Sequence, residues 1–273
     1  DRVHGYLSNM VDGSATPENG PQRELFRHLY VPGLGPGPYF DPDSLPQLDR
    51  ADELAAIQEE ARSAFAQGTL LIDHSDLVVG NAPSVQARWD CLYFRKEFVD
   101  VEETHRLFPA TSRFLRRHRL ATEALYSRLA PQTTIEPHSD CANYVATVHL
   151  PLGDSPATIR VADIEKGYVA GQTIFFDSSF THSVENAASN ARDILLFNVW
   201  HPELSDDEIS ALTMIRELMQ PITVAMVVQE INRYADSEFR YADKSDEVAI
   251  QAMVRDFGRT EEAKRRYLEG KGG

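Results

Sequence analysis

Two hydrophobic periods divide the chain. Leu54, Ile57, Ala61 and Phe65 recur at helical spacing, and Asp52 with Glu53 fall in the first turn, where a helix dipole favours acids. The pattern predicts a helix over Asp52–Ala66. A second helix is expected from Val101 to His118, with Phe108, Phe114 and Leu115 turned inward. From Ala121 the period shortens. Ala124–Arg128, Thr133–Glu136, Tyr144–Leu150, Thr158–Ala162, Thr173–Phe176 and Asp193–Trp200 read as short strands, separated by turn residues such as Pro151-Leu152-Gly153-Asp154 and Lys166-Gly167. Many short strands at such spacing indicate a β-sandwich or barrel. After Pro202 the pattern is helical again, over Ser205–Met219, Ile222–Tyr234 and Asp246–Tyr267, and Ser205 with Glu208 has capping-box spacing. Residues 1–48 are rich in Gly and Pro. Val31-Pro32-Gly33-Leu34-Gly35-Pro36-Gly37-Pro38 is incompatible with helix, so an extended N-terminal arm is expected there.

Composition narrows the functions. The 273 residues carry 27 Lys+Arg against 42 Asp+Glu, a formal net charge of −15. A general nucleic-acid binder needs a basic face to neutralise phosphates, and a peripheral membrane protein often needs a polybasic patch; neither fits this balance. Hydrophobic residues make up 42% and charged residues 25%, which suits a globular protein with a real core. The longest apolar run, Ile222 to Val228, is interrupted by Thr223 and is far short of the ~20 residues of a membrane span. Asp1-Arg2-Val3-His4 does not read as a signal peptide. Two cysteines, Cys91 and Cys141, make no disulfide framework, and two reduced thiols in a cytoplasmic protein are expected. No internal repeat is visible.

The candidate chemistry begins with His138-Ser139-Asp140. On a strand, residues i and i+2 share a face, so this pair can supply two metal ligands. With a distant histidine they would form a two-histidine, one-carboxylate facial triad, the donor set of non-haem Fe(II) oxygenases. The tripeptide alone is weak: roughly one H-x-[D/E] is expected by chance in such a composition, and the chain holds three, the others being His74-Ser75-Asp76 and His201-Pro202-Glu203. Context favours His138. It opens a series of β-runs, His182 follows 44 residues later, and Arg192 comes ten residues after that at the start of the last strand. There the chain can turn back and bring a guanidinium to the same pocket, where it would grip a carboxylate through two parallel hydrogen bonds. A surface ion pair is the alternative role for Arg192.

In order and spacing, the chain resembles the aspartyl/asparaginyl β-hydroxylase family of Fe(II)/2-oxoglutarate-dependent dioxygenases. The matching pieces are Tyr126-Ser127, Pro137-His138, Asn143, His149-Leu150, Ile159-Arg160, the run from Phe175 to His182, Arg192, and Val199-Trp200-His201-Pro202-Glu203-Leu204. Weaker echoes lie in Leu29–Leu34, Trp89 and Phe108-Pro109. The resemblance runs from about Leu25 to about Leu212. It implies a mainly β fold with flanking helices around a double-stranded β-helix, a cupin-like jelly-roll. The expected organisation is an arm over 1–48, a dioxygenase core with supporting helices over 49–204, and a C-terminal helical extension over 205–273.

By the same resemblance His138 and His182 match the iron-binding histidines, and Arg192 matches the arginine that pairs with the distal carboxylate of 2-oxoglutarate. Ser127 and His149 match polar residues that contact the co-substrate, the alternative being satisfied interior polar groups. Arg160 matches a recurrent arginine of undefined role, and Trp200-His201-Pro202 a structural signature. Two departures stand out. Several animal members have Gly where this chain has Asp140 and manage with two protein ligands; here the acid is restored, so a complete His138/Asp140/His182 triad is expected, with water-mediated contact by Asp140 as the alternative, and an occupied carboxylate position also argues against halogenation. Thr147 stands where those members carry an arginine near the co-substrate. The implied reaction consumes 2-oxoglutarate and O₂, releases succinate and CO₂, and hydroxylates an unactivated C–H bond. The expected substrate is a small molecule: an amino acid, an amino acid tethered to a carrier protein, or a natural-product intermediate. Hydroxylation of Asp or Asn in a protein is the alternative, as are a metal-free jelly-roll that binds a small acid and a cupin-type metal enzyme that does not use 2-oxoglutarate. The C-terminal helices would cover the active-site mouth, dock a carrier, form a dimer interface or simply pack; the oligomeric state is open.

Overall fold

The computed structural model describes residues 2–12, 22–23, 25, 29–35, 37–48, 51–67, 72–73, 88–96, 98–140 and 142–216. The chain divides into two compact units, residues 1–75 with 83–211 and residues 76–82 with 212–273. Only 212–216 of the second are among the described residues, and the architecture below is that of the first.

The helices are α1 (Arg2–Asp12), α2 (Ala51–Gln67), α3 (Glu102–Leu107) and α4 (Pro109–Leu115), with a further helix opening at 206. The strands are β1 (Ile72–Asp73), β2 (Trp89–Lys96), β3 (Val99–Asp100), β4 (Leu120–Leu129), β5 (Thr133–His138), β6 (Val145–Pro151), β7 (Ser155–Val161), β8 (Ile164–Tyr168), β9 (Ile174–Phe176), β10 (His182–Asn186) and β11 (Arg192–Trp200). They form two antiparallel sheets. The major sheet runs β1-β2-β4-β11-β6-β9, with β3 paired to β2, and the minor sheet runs β5-β10-β7-β8. This is the mainly β, jelly-roll architecture expected from the sequence.

The major sheet is buried on both faces, and the alternation along its strands decides what each face does. Ala146, Val148 and Leu150 of β6, Leu195, Phe197 and Val199 of β11, Ala124 and Tyr126 of β4, and Leu92 and Phe94 of β2 share one cluster with Ile57, Ala61 and Phe65 of α2 and Phe114 and Leu115 of α4. The residues between them point the other way, because successive strand side chains alternate faces. Ile194 of β11 and Leu129 of β4 thus join Ile135, Ile159, Val161 and Val184 of the minor sheet in a second core. Thr147, His149, Ser127, Arg192 and Asn198 share that inner face, and all line the cavity between the sheets. One set of strands therefore carries both the helix-packing core and the polar lining.

Where expectation and structure differ, the causes are local. The expected helix Val101–His118 is two helices, because Pro109 forces the preceding Phe108 to φ −124° and ψ 72° and removes a helical donor. The arm expected to be extended from its start opens instead with α1, where Tyr6 and Asn9 share a buried side and Tyr6 packs edge-on against Tyr144 at 6.1 Å. Its later part is extended and pinned. Asn143 accepts from the Val31 N–H and donates to the Val31 carbonyl, both at 2.8 Å, and Gly33 takes φ +78° in the intervening turn. The Phe40 N–H donates to the Phe175 carbonyl at 3.0 Å, which covers the β9 edge of the major sheet.

Strands β1, β2, β3, β8 and β10 went unpredicted. β10 buries His182, Val184 and Asn186 and so shows little apolar alternation, while β8 is a polar edge strand built on the Lys166-Gly167 pair read as a turn. The capping box at 205 forms: Ser205 Oγ accepts from the Glu208 N–H at 3.2 Å, and Glu208 Oε2 accepts from the Ser205 N–H at 2.9 Å. That bond is the main cause lowering the Glu208 pKa. The helices expected over 222–234 and 246–267 lie outside the described residues. No helix among the described residues is long and apolar enough to cross a membrane. Cys91 is a buried thiol, and Cys141 lies outside the described residues.

Candidate functional site

His138 ends β5 and His182 begins β10, and the two are direct partners in the β5–β10 ladder. Their rings lie 4.1 Å apart between centroids. Asp140 follows two residues after His138, and its N–H donates to the Ser178 carbonyl at 2.9 Å, which turns it back toward β10. The result is a cluster of His138, Asp140 and His182 with ligand atoms all within 4.8 Å of one another.

The donor chemistry of the three fits a divalent transition metal. His138 Nδ1 bonds the carbonyl of Glu136 at 2.8 Å, and His182 Nδ1 bonds that of Phe180 at 2.9 Å. A carbonyl only accepts, so each Nδ1 carries the proton and each Nε2 presents a lone pair, the usual arrangement behind a metal-binding histidine. Burial, reinforced by neighbouring His182 and opposed by Asp140, lowers the His138 pKa to about 4, so the imidazole is neutral at physiological pH as ligation requires.

The cavity above this cluster has a volume of about 200 Å³. Its far wall carries a buried cation. Arg192 is 2% exposed, and its Nη2 donates to Ser127 Oγ at 2.9 Å. Trp89 Nε1 donates to the same oxygen at 2.8 Å. Ser127 Oγ thus has both acceptor positions filled, which leaves its own O–H as a donor. Arg192 Nε is buried with no hydrogen-bond partner among the described residues. A buried guanidinium with an unmatched N–H is costly in isolation and complementary to a carboxylate. Tyr168 lies beneath the guanidinium, with Cζ 5.3 Å from the ring centroid, and its hydroxyl bonds His149 Nδ1 at 3.1 Å. Burial first, then Arg192 and His182, holds the His149 pKa well below its ordinary value, so this side chain is a neutral polar wall.

A family model described as Aspartyl/Asparaginyl beta-hydroxylase matches residues 51–202. The chain belongs to the aspartyl/asparaginyl beta-hydroxylase family. It is 36% identical over 92 residues to the human aspartyl/asparaginyl beta-hydroxylase and 35% identical over 92 residues to the mouse protein. Each match covers 33% of this chain and 12% of the relative, so the chain spans only a small part of the curated relatives' length. Among solved structures, a prolyl-4-hydroxylase of Pseudomonas putida aligns with 20% identity and a TM-score of 0.36, covering 58% of this chain and 88% of that one. The non-heme alpha ketoglutarate dependent epimerase SnoN from nogalamycin biosynthesis aligns with 17% identity and a TM-score of 0.37, covering 55% and 73%.

Within this family member, the structure brings together His138, Asp140, His182, Arg192, Ser127 and His149, all in the cavity lining. Arg160 is elsewhere, exposed and paired with Glu165 at 2.6 Å. His201 is buried against Phe40, and its Nδ1 accepts from the Glu203 N–H at 3.2 Å, in line with the structural reading of Trp200-His201-Pro202. His74-Ser75-Asp76 lies outside the described residues. Thr147 lines the cavity and accepts from Asn198 Nδ2 at 2.9 Å, so a neutral hydroxyl–amide pair stands where some family members have an arginine. Sequence reasoning missed Tyr168, which sits at the end of a polar edge strand, and gave Trp89 only as an echo without a role. The β-type run Trp89–Lys96 was the available signal for Trp89.

Proposed function

We propose that this protein is an Fe(II)/2-oxoglutarate-dependent hydroxylase. The observation that carries the reading is the pairing, in one cavity, of a convergent His138/Asp140/His182 donor set with a buried Arg192 whose Nε lacks a partner. His138, Asp140 and His182 would hold the iron, and Arg192 with Ser127 would hold the distal carboxylate of 2-oxoglutarate. Bound iron and 2-oxoglutarate supply the oxidising chemistry: substrate C–H, 2-oxoglutarate and O₂ become C–OH, succinate and CO₂.

The chain's own residues do the rest. The carbonyls of Glu136 and Phe180 fix the two imidazoles in the ligating tautomer. Trp89 and Arg192 orient Ser127. Leu125, Ile135, Phe176, Val184 and Leu196 give the cavity apolar walls beside the polar Glu123, Thr147 and Asn198, and limit the water around the reacting centre.

The substrate we favour is a small molecule, an amino acid free or carrier-tethered or a natural-product intermediate, which suits a cavity of about 200 Å³ that must also admit the co-substrate. Family membership supports a second reading, hydroxylation of an Asp or Asn side chain in a protein. Anaerobic loading with Fe(II) and 2-oxoglutarate, then exposure to oxygen with amino acids, carrier-tethered amino acids or Asp- and Asn-containing peptides, separates them. The expected result is substrate-triggered succinate, matched by hydroxylated product, from one class. Binding of small acids without iron-dependent succinate formation would make the protein a binding module instead.

A further inference from the structure

The segment Asp177–Thr181 lies between β9 and β10 and serves the metal cluster from behind. Three of its carbonyls bond the residues around the cluster. Ser178 O accepts from the Asp140 N–H at 2.9 Å, Ser179 O accepts from Ser139 Oγ at 2.8 Å, and Phe180 O accepts from His182 Nδ1 at 2.9 Å. Two members of the triad are thus oriented by consecutive stretches of one loop, and the third, His138, is next to Ser139 in the chain. Backbone bonds anchor the ends of the loop, from the Asp177 N–H to the Pro38 carbonyl at 3.2 Å and from the Ala162 N–H to the Thr181 carbonyl at 2.8 Å, and its middle needs a further hold.

Arg23 provides it from the N-terminal arm. It is 9% exposed. Its Nε donates to Ser179 Oγ at 3.0 Å, its Nη2 donates to Asp177 Oδ2 at 3.1 Å, and its guanidinium carbon lies 5.0 Å from the Phe180 ring centroid. Asp177 Oδ1 accepts in addition from the N–H and hydroxyl of Ser179. The backbone completes the clamp: Arg23 bridges Phe180, and the Thr181 N–H donates to the Gln22 carbonyl at 2.9 Å. One arginine therefore touches three residues of the loop, and the ion pair is buried at both ends, with Asp177 1% exposed.

We infer that Arg23 is a positioning residue for the metal centre, acting through Asp177, Ser179 and Phe180 to hold the carbonyls that aim Asp140 and His182. The inference rests on the proposed metal site. It gives the arm a function in catalysis that its distance in sequence, 154 residues from Asp177, conceals. Outer-sphere partners of metal ligands typically carry 10–100-fold in metal affinity. A single loss of Arg23 would also leave Asp177 buried without its counter-ion, which is itself destabilising.

The test is anaerobic titration with Co(II), read by binding isotherm and by its visible ligand-field spectrum, on the full chain. The variants are Arg23→Gln, the charge-balanced double variant Arg23→Gln with Asp177→Asn, and Ser179→Ala, which leaves the ion pair in place. Thermal unfolding establishes that each variant is folded. Because Arg23 acts one contact beyond the groups that bond the ligands, the expected result is a several-fold loss in Co(II) affinity, up to roughly tenfold, and an altered spectrum in Arg23→Gln and in the double variant, with a smaller change in Ser179→Ala. A folded double variant with wild-type affinity and spectrum overturns the inference, even if its melting temperature falls, because a merely structural arginine would move only the latter. Should Arg23→Gln fail to fold, the double variant and Ser179→Ala decide. Wild-type Co(II) binding that is indifferent to His138→Ala and His182→Ala would instead overturn the metal site itself.

Discussion

His138 and His182 face each other across the β5–β10 ladder, each with Nδ1 tied to a backbone carbonyl two residues earlier in its own chain segment. This repeated i to i−2 bond leaves both Nε2 atoms free to accept a metal. Replacing either histidine by Ala should abolish tight Fe(II) binding, with affinity reduced at least ~100-fold, since a facial triad cannot be completed from two donors. Anaerobic calorimetric titration with Fe(II) or Mn(II) checks this, and retention of wild-type affinity in both variants would remove the site.

Arg192 makes a sharper claim about the co-substrate. Charge-assisted hydrogen bonds contribute ~1.5–3 kcal/mol each, so Arg192→Ala should weaken 2-oxoglutarate binding by ~100-fold while leaving metal affinity within a few-fold. Arg192→Lys should restore little, because an ammonium cannot reproduce the planar fork whose Nη2 already engages Ser127. The check is the KM for 2-oxoglutarate beside the metal Kd for each variant.

Glu60 offers a control for the fold alone. Its carboxylate accepts from the Ala110 N–H at 2.8 Å and from the Thr111 N–H at 2.9 Å, capping the start of α4 from α2. Glu60→Ala should cost about 1–2 kcal/mol of stability, the scale of a lost helix cap, and should not change metal affinity. Urea unfolding and metal titration of the same variant measure both.

Acid should destabilise the metal-free protein through its buried histidines. Burial lowers the pKa of His118, His138, His149 and His201 in the fold, His138 to about 4. Unfolded, each titrates near 6.5. Below that value the unfolded chain binds more protons than the native one, so the slope of unfolding free energy against pH is positive. Stability from these groups is complete above about pH 6.5 and is lost as the pH falls from there toward about 4. Denaturant midpoints should therefore drop between pH 7.5 and 5; midpoints that hold or rise would contradict the assignment.

The parts of this protein legible in its sequence are those in which a period survives. β4, β6 and β11 alternate between helix-facing apolar residues and an inner face, and they were readable as strands. β10 buries a histidine and an asparagine on its inward side, so its burial is invisible to hydrophobic pattern. The candidate ligands His138, Asp140 and His182 were reachable through motif order, and Arg192 through its place at the start of a strand. Tyr168 and the Arg23–Asp177 pair were not, because their roles arise from contacts between segments far apart in the chain that no local spacing encodes. Trp89 lay within reach: its strand has strong β character, yet its indole N–H matters only once β2 is known to pair with β4 beside Ser127.

Anaerobic titration of the Fe(II)-loaded protein with 2-oxoglutarate asks whether one cavity joins a His138/Asp140/His182 iron site to an Arg192 carboxylate site. The reading is the visible charge-transfer absorption of the chelated pair. Saturable absorption is expected in the wild type, none in His182→Ala, and in Arg192→Ala the same absorption only at roughly 100-fold higher 2-oxoglutarate. A wild-type protein that binds Fe(II) yet develops no such absorption, or an Arg192→Ala variant that titrates like the wild type, would contradict the joint site.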